Sequence, residues 1–157
     1  MFNLEENSTG MFGPEHQVNP ILHLLGAAGG WGGMPRNYAF YETNIVQNKN
    51  EIQEYYMNIP SDVPINGFWS VTVYDSEGFF FHRVDSVNKN QYNSERNGDG
   101  SITIFFSNDS TKINNINIAK GWTYSVRLYE PDLSVINGLW SFPKLIPVST
   151  YSVQELF

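Results

Sequence analysis

The stretch Phe68-Trp69-Ser70-Val71-Thr72-Val73-Tyr74-Asp75 alternates large apolar side chains with small hydroxylated ones. Successive strand residues point to opposite faces, so Trp69, Val71 and Val73 share one face while Phe68, Ser70, Thr72 and Tyr74 share the other. Aromatic and β-branched residues in this alternation specify a strand with one face in a core. The pattern returns in Trp122-Thr123-Tyr124-Ser125-Val126-Arg127-Leu128-Tyr129. Here Trp122, Tyr124, Val126 and Leu128 form the apolar set, opposed by Thr123, Ser125, Arg127 and Tyr129. If the two strands lie side by side, one surface carries Ser70, Thr72, Tyr74, Ser125, Arg127 and Tyr129, a single cation among hydroxyls.

Working outward, alternating runs at 39–43, 53–59, 79–82 and 101–106 read as further strands. Turn chemistry separates them: Pro60 to Pro64 with Ile65-Asn66-Gly67, then Glu77-Gly78, Asn97-Gly98-Asp99-Gly100 and Glu130-Pro131-Asp132. Asp75-Ser76-Glu77-Gly78, between two aromatic-rich runs, reads as a hairpin. Toward the amino terminus the period is helical. Asn19 can cap a helix with Pro20 in its first position, Ile21, Leu22, Leu24, Leu25 and Ala28 follow at helical spacing, and Gly29-Gly30 ends it. One short helix followed by regularly spaced strands predicts a mainly β protein, an antiparallel sandwich or jelly roll, rather than a βαβ fold.

Composition bounds the function. The chain has 157 residues, no Cys, 9 Lys plus Arg and 16 Asp plus Glu, for a formal charge of −7. That length buries a core without disulfides, and the missing cysteines exclude thiolate metal cages and cysteine nucleophiles. The acidic balance argues against nucleic acid and anionic membrane as partners, because both demand a cationic surface. Met1 to Gly10 holds Glu5 and Glu6 and no basic or apolar run, so no export signal is read. The longest apolar run, Ile21 to Ala28, falls far short of the roughly 20 residues that span a bilayer. The expected location is cytoplasmic.

Chemistry-bearing motifs are sparse. No Gly-x-Ser-x-Gly, phosphate-binding Gly-x-x-x-x-Gly-Lys or His-Glu-x-x-His is present. The glycine-rich run 26–33 follows a helix, whereas a dinucleotide-binding loop follows a strand. His16 and His23 are seven apart and would share a helix face with Glu15 nearby, but Pro20 between them breaks such a helix and no third ligand has metal-site spacing. No metal and no cofactor is therefore expected. His82, ending the run Phe79-Phe80-Phe81, is read as a half-buried strand end whose charged form Arg83 disfavours. Asp75, Glu77 and Asp85 are the first acids to examine for glycoside hydrolysis, a reading that needs spatial separations. Arg127 is the focal candidate. On a strand's outward face an arginine is ordinarily solvated or paired with a cross-strand acid, here Asp75 or Glu130; the alternative is recognition of a carboxylate, phosphate or sugar hydroxyl.

Three blocks carry a family resemblance. They are Met11-Phe12-Gly13-Pro14 through Gly30-Trp31-Gly32-Gly33-Met34-Pro35 and Ala39-Phe40-Tyr41; Asp62-Val63-Pro64-Ile65-Asn66-Gly67 through Tyr74-Asp75, with Gly78-Phe79-Phe80 and Asn97-Gly98-Asp99-Gly100; and Gly121-Trp122 through Glu130-Pro131, with Asn137-Gly138-Leu139-Trp140 and Pro147-Val148. Together they resemble domain-of-unknown-function family 1214. The resemblance covers 11–148, leaving 1–10 and 149–157 as tails. It implies a jelly-roll-like antiparallel β-sandwich with one short N-terminal helix, usually the carboxy-terminal part of a protein whose preceding domain belongs to unknown-function family 1254. This chain begins almost at the family block, so it reads as a stand-alone domain, phage-encoded or a fragment of a longer protein.

The family transfers no catalytic residue, and the functional expectation rests on the residues themselves. It is a soluble, non-catalytic binding or interaction module for a carbohydrate, a small acid or a protein, with Arg127, Tyr129, Tyr74 and His82 as site residues. The alternative is a hydrolase or lyase acting on a sugar-like or carboxylated substrate through Arg127 and His82. A third reading is an assembly subunit, a homo-oligomer formed through the carboxy-terminal tail, where Val153, Leu156 and Phe157 are apolar.

Overall fold

The computed structural model describes residues 11–29, 33–45, 52–81 and 87–148. A 3₁₀ turn at Glu15–Gln17 precedes helix α1 (Pro20–Gly29). Eight strands follow: β1 (Ala39–Ile45), β2 (Tyr55–Ile59), β3 (Trp69–Tyr74), β4 (Asn88–Asn90), β5 (Ile102–Phe106), β6 (Asn115–Ile116), β7 (Thr123–Tyr129) and β8 (Ile146–Pro147). A single turn of helix, α2 (Leu133–Ile136), lies between β7 and β8. Asn19 caps α1 as its side chain suggests, Oδ1 accepting from the amides of Ile21 at 2.9 Å and Leu22 at 3.2 Å. Ile21 and Leu24 nevertheless remain 70% exposed, so the helical apolar set is only partly used for packing.

The strands form two four-stranded sheets, ordered β1-β7-β3-β4 and β6-β5-β2-β8. Their facing sides make one core. Val71, Val73, Val126 and Leu128 from the first sheet meet Met57, Ile59, Ile104 and Phe106 from the second, all at most 2% exposed. At about 1.5–3 kcal/mol for each fully buried large apolar side chain, this face-to-face burial is the dominant favourable contribution to folding. Trp122 stacks on Phe106 with ring centroids 5.2 Å apart and meets Tyr55 edge-on. Trp69 closes the other end against Phe142, 5.9 Å away.

The alternation read from the sequence holds in β3 and β7, which pair antiparallel with Val71 opposite Val126 and Thr72 opposite Ser125. β1 pairs on the other side of β7, bringing Tyr41 opposite Arg127 and Thr43 opposite Ser125. At the two edges of this sheet the inner side carries charges, Glu42 opposite Val126 and Lys89 opposite Val71.

Several expectations are corrected. The run beginning at Phe79 is no strand in its described part, Phe79 to Phe81. Asp75 instead locks the turn before it: Oδ1 accepts from the amides of Glu77 and Phe79, each at 2.9 Å. The mainly β sandwich stands as expected, with β5 and β6 adding one parallel pairing to otherwise antiparallel sheets. That return is held by Asn115, whose side chain bonds both the hydroxyl and the carbonyl of Ser107, and by Asn114 at a left-handed φ of 54°. His82, Trp31 and both tails, with the proposed oligomer contact at Val153 to Phe157, lie outside the described residues.

Gly67 sits where the chain enters β3, its amide donating to the Tyr129 carbonyl at 3.2 Å. A Cβ there would stand 2.7 Å from that oxygen and 3.0 Å from its carbon, contacts that backbone cannot relieve by a rotamer change. Gly67→Ala is expected to cost about 1–3 kcal/mol, the range for overpacking. Urea unfolding reads this directly, and an unchanged midpoint would show that the strand entry yields.

Candidate functional site

The outer face of the β1-β7-β3-β4 sheet is built on small residues. Ser70, Thr72 and Ser125 are 6%, 5% and 8% exposed, so this face is covered almost as fully as the core side. The covering side chains include Arg127, which leans from β7 along β3. Nη1 donates to Thr72 Oγ1 at 3.0 Å and Nη2 to the Tyr74 hydroxyl at 2.6 Å. Because Thr72 and Ser125 are short, the long arginine stem has room to lie flat against the sheet. The guanidinium carbon is 6.0 Å from the Tyr74 ring centroid. With Nη2 on the hydroxyl, the cation sits at the oxygen end of the ring, and the hydrogen bond rather than a face-on cation–π contact fixes it.

Neighbours tie this group into the sheet. Asn88 of β4 donates from Nδ2 to the same Thr72 oxygen at 2.8 Å, and the hydroxyls of Thr43 and Ser125 share a 3.0 Å hydrogen bond. Phe80 stacks on Tyr74 with centroids 5.3 Å apart, and Phe68 stacks on Tyr129 at 4.3 Å. Burial pushes the Tyr41 phenol above its ordinary pKa, against the lowering effect of a Met34 backbone hydrogen bond; Tyr129 adds to the rise and Arg127 opposes it.

The structure therefore brings Arg127, Tyr74 and Tyr129 onto one face and joins the first two directly. The expected ion pair with Asp75 or Glu130 is replaced: among the described residues Arg127's side-chain partners are neutral, and the one salt bridge is Lys112 to Glu54 at 2.7 Å. Asp75 is occupied in its own turn. Thr72, Asn88 and Tyr41 complete the setting. Thr72 was legible from the alternation, whereas Tyr41 and Asn88 depend on β1 and β4 flanking the central pair, which no local pattern encodes.

His16 and His23 do not converge. His16 Nε2 contacts the Gln17 amide at 3.3 Å and His23 Nδ1 bonds the Met11 carbonyl at 2.7 Å. Among the described residues no three His, Cys, Asp or Glu side chains are grouped so as to hold a metal ion. No helix of the described residues is long and apolar enough to cross a membrane.

Fold and site together define a two-sheet, mainly β sandwich with an arginine set among hydroxyls on one outer face. The chain belongs to the family described as protein of unknown function (DUF1214), whose family model matches residues 39–133. Its fold is similar to that of the VPA0106 protein from Vibrio parahaemolyticus, known from a crystal structure, at a TM-score of 0.69 and 17% identity, covering 90% of this chain and 39% of that one. It is also similar to an uncharacterized protein from Burkholderia cenocepacia, at a TM-score of 0.53 and 17% identity over 74% of this chain and 31% of that one. The chain thus spans less than half the length of either relative. No curated protein matches it.

Two outcomes follow from this geometry. Thr72→Val keeps the shape but removes the acceptor of both Arg127 and Asn88; leaving such donors unpaired costs about 1–3 kcal/mol. Thermal or urea unfolding measures it, and a neutral result would mean that water replaces the hydroxyl. The second concerns alkaline pH. Burial holds both Tyr41 and Tyr124 protonated beyond the ordinary phenol value of 10.0, with the Glu42 carboxylate adding to the effect at Tyr124. Their raised folded pKa values stabilise the fold fully below pH 10.0, and that contribution is lost as pH rises through the folded values. Stability should fall in that window, and Tyr124→Phe should flatten the fall.

Proposed function

We propose that this chain is a non-catalytic binding module that holds a carbohydrate or a small acid on the outer face of the β1-β7-β3-β4 sheet, with Arg127 as the anchoring charge. One observation carries the reading. Among the described residues half-buried Arg127 is held by neutral acceptors, which leaves its positive charge available to an anion, and the guanidinium fork has N–H donors beyond those given to Thr72 and Tyr74. Beside it, Phe80 extends the Tyr74 ring outward at 57% exposure, with Phe79 65% exposed. A sugar ring presents an apolar C–H face to such aromatics and hydroxyls to the Thr and Tyr oxygens.

Calorimetric titration with neutral sugars, uronic acids and small carboxylates tests the proposal. Arg127→Lys should weaken binding about tenfold by losing the fork, and Arg127→Ala should abolish it. Affinity for the sugars and uronic acids unchanged in Arg127→Ala, or silence across the whole panel, would sink it.

A further inference from the structure

We infer that a second site, sharing no residue with the Arg127 face, lies where β2 ends and β3 begins: a cavity of about 170 Å³ that takes a small hydroxycarboxylate. Trp69 and Ile102, both 2% exposed, form its back wall, and Arg96, Gln91 and Ser61 supply its polar groups.

Arg96 is held in place before any ligand arrives. Its Nη1 donates to the Gly100 carbonyl at 2.9 Å. The preceding residue, Glu95, is clasped at both backbone groups by Asn114, its amide donating to Oδ1 at 2.8 Å and its carbonyl accepting from Nδ2 at 2.8 Å. Asn114 is 8% exposed and adopts the left-handed φ of 54°, an uncommon conformation for a side-chain-bearing residue that marks a position fixed by its surroundings. On the other side of Arg96, Asn97 bonds the hydroxyls of Ser101 and Thr103, and Asp99 accepts from the Ser101 amide and hydroxyl. A loop tied at so many points presents its arginine at low entropic cost to binding.

The rest of the cavity matches a polar acid. Gln91, whose Nε2 reaches the Gly67 carbonyl at 3.5 Å, also lines the cavity and carries an amide oxygen able to accept from a ligand hydroxyl. Ser61 lies against Gly100, whose φ of 85° lets the two loops meet with a Cβ position 3.3 Å from Ser61 Cβ. Glu95 and Asp99 are near Arg96 in sequence and Asp62 lies between the cavity-lining Ser61 and Val63, yet none forms an ion pair with it among the described residues. At about 170 Å³ the space accommodates a three- or four-carbon acid.

The test is a titration of the full chain followed by backbone amide NMR, with lactate and glycerate against lactamide, glycerol and inorganic phosphate. Saturable shifts at Gly67, Gln91 and Ile102 are expected with the two acids, weakened about tenfold in Arg96→Gln, partly retained in Arg96→Lys and unchanged in Arg127→Ala. Equal shifts from lactamide or glycerol, equal or tighter binding of phosphate, binding that survives Arg96→Gln, or no shift at high millimolar acid would each overturn it. Loss of the shifts in Arg127→Ala would also overturn it, by placing the acid on the other face.

Discussion

The antiparallel register of β3 on β7 is the constraint on which the rest depends. Val71 opposite Val126 places Trp69, Val73, Tyr124 and Leu128 in the core, and the same register places Arg127 beside Ser70 and Thr72 outside. Because side chains alternate with period two, a one-residue slip would carry Arg127 and three hydroxyls inward and expose the valines. The hydrophobic effect thus positions a polar constellation that it does not itself favour. The aromatic stack of Phe106 and Trp122 then fixes the second sheet against the first.

Much of this was legible in the sequence, for identifiable reasons. Long strands with strict alternation, β3 and β7 above all, announced themselves because their inner faces are all apolar and their outer faces all polar. Helix α1 was readable from Asn19 and Pro20, whose cap forms as the side chain dictates. The short strands were not. Asn88-Lys89-Asn90 has none of the β-branched or aromatic character of a strand and pairs only because β3 offers an unsatisfied edge. Asn115-Ile116 and Ile146-Pro147 are likewise recruited by neighbours. Conversely, the aromatic run at Phe79 had strand propensity, but Asp75 turns the chain there, and Phe80 is used as a ring stacked on Tyr74.

The candidate site shows the same division. The alternation named Arg127, Tyr74 and Tyr129 as companions, and it also placed Thr72 on their face. What it could not supply was Arg127's partner. Cross-strand acids were the ordinary expectation, and the outcome turned on side-chain length: Thr72 and Tyr74 lie along the direction in which the arginine leans, while Asp75 spends its carboxylate on the turn amides. At 17% identity with either structural relative, the sandwich persists although most side chains differ. Inference from this fold to a ligand therefore has to pass through individual residues.

The inward charges at the margins of the first sheet bear on whether a further strand could add to it. β6 and β8 are two-residue strands and Pro147 lacks an amide hydrogen, so the second sheet offers an incoming strand almost no template. The first sheet ends on one side in a three-residue strand and on the other in the seven-residue β1. An intruder extending that longer edge and continuing the core across it would enclose the Glu42 carboxylate with its Asn44 partner. At the opposite edge it would enclose Lys89. Each charge costs little while water reaches it and a great deal once covered, so the sheet stops where its charges stand.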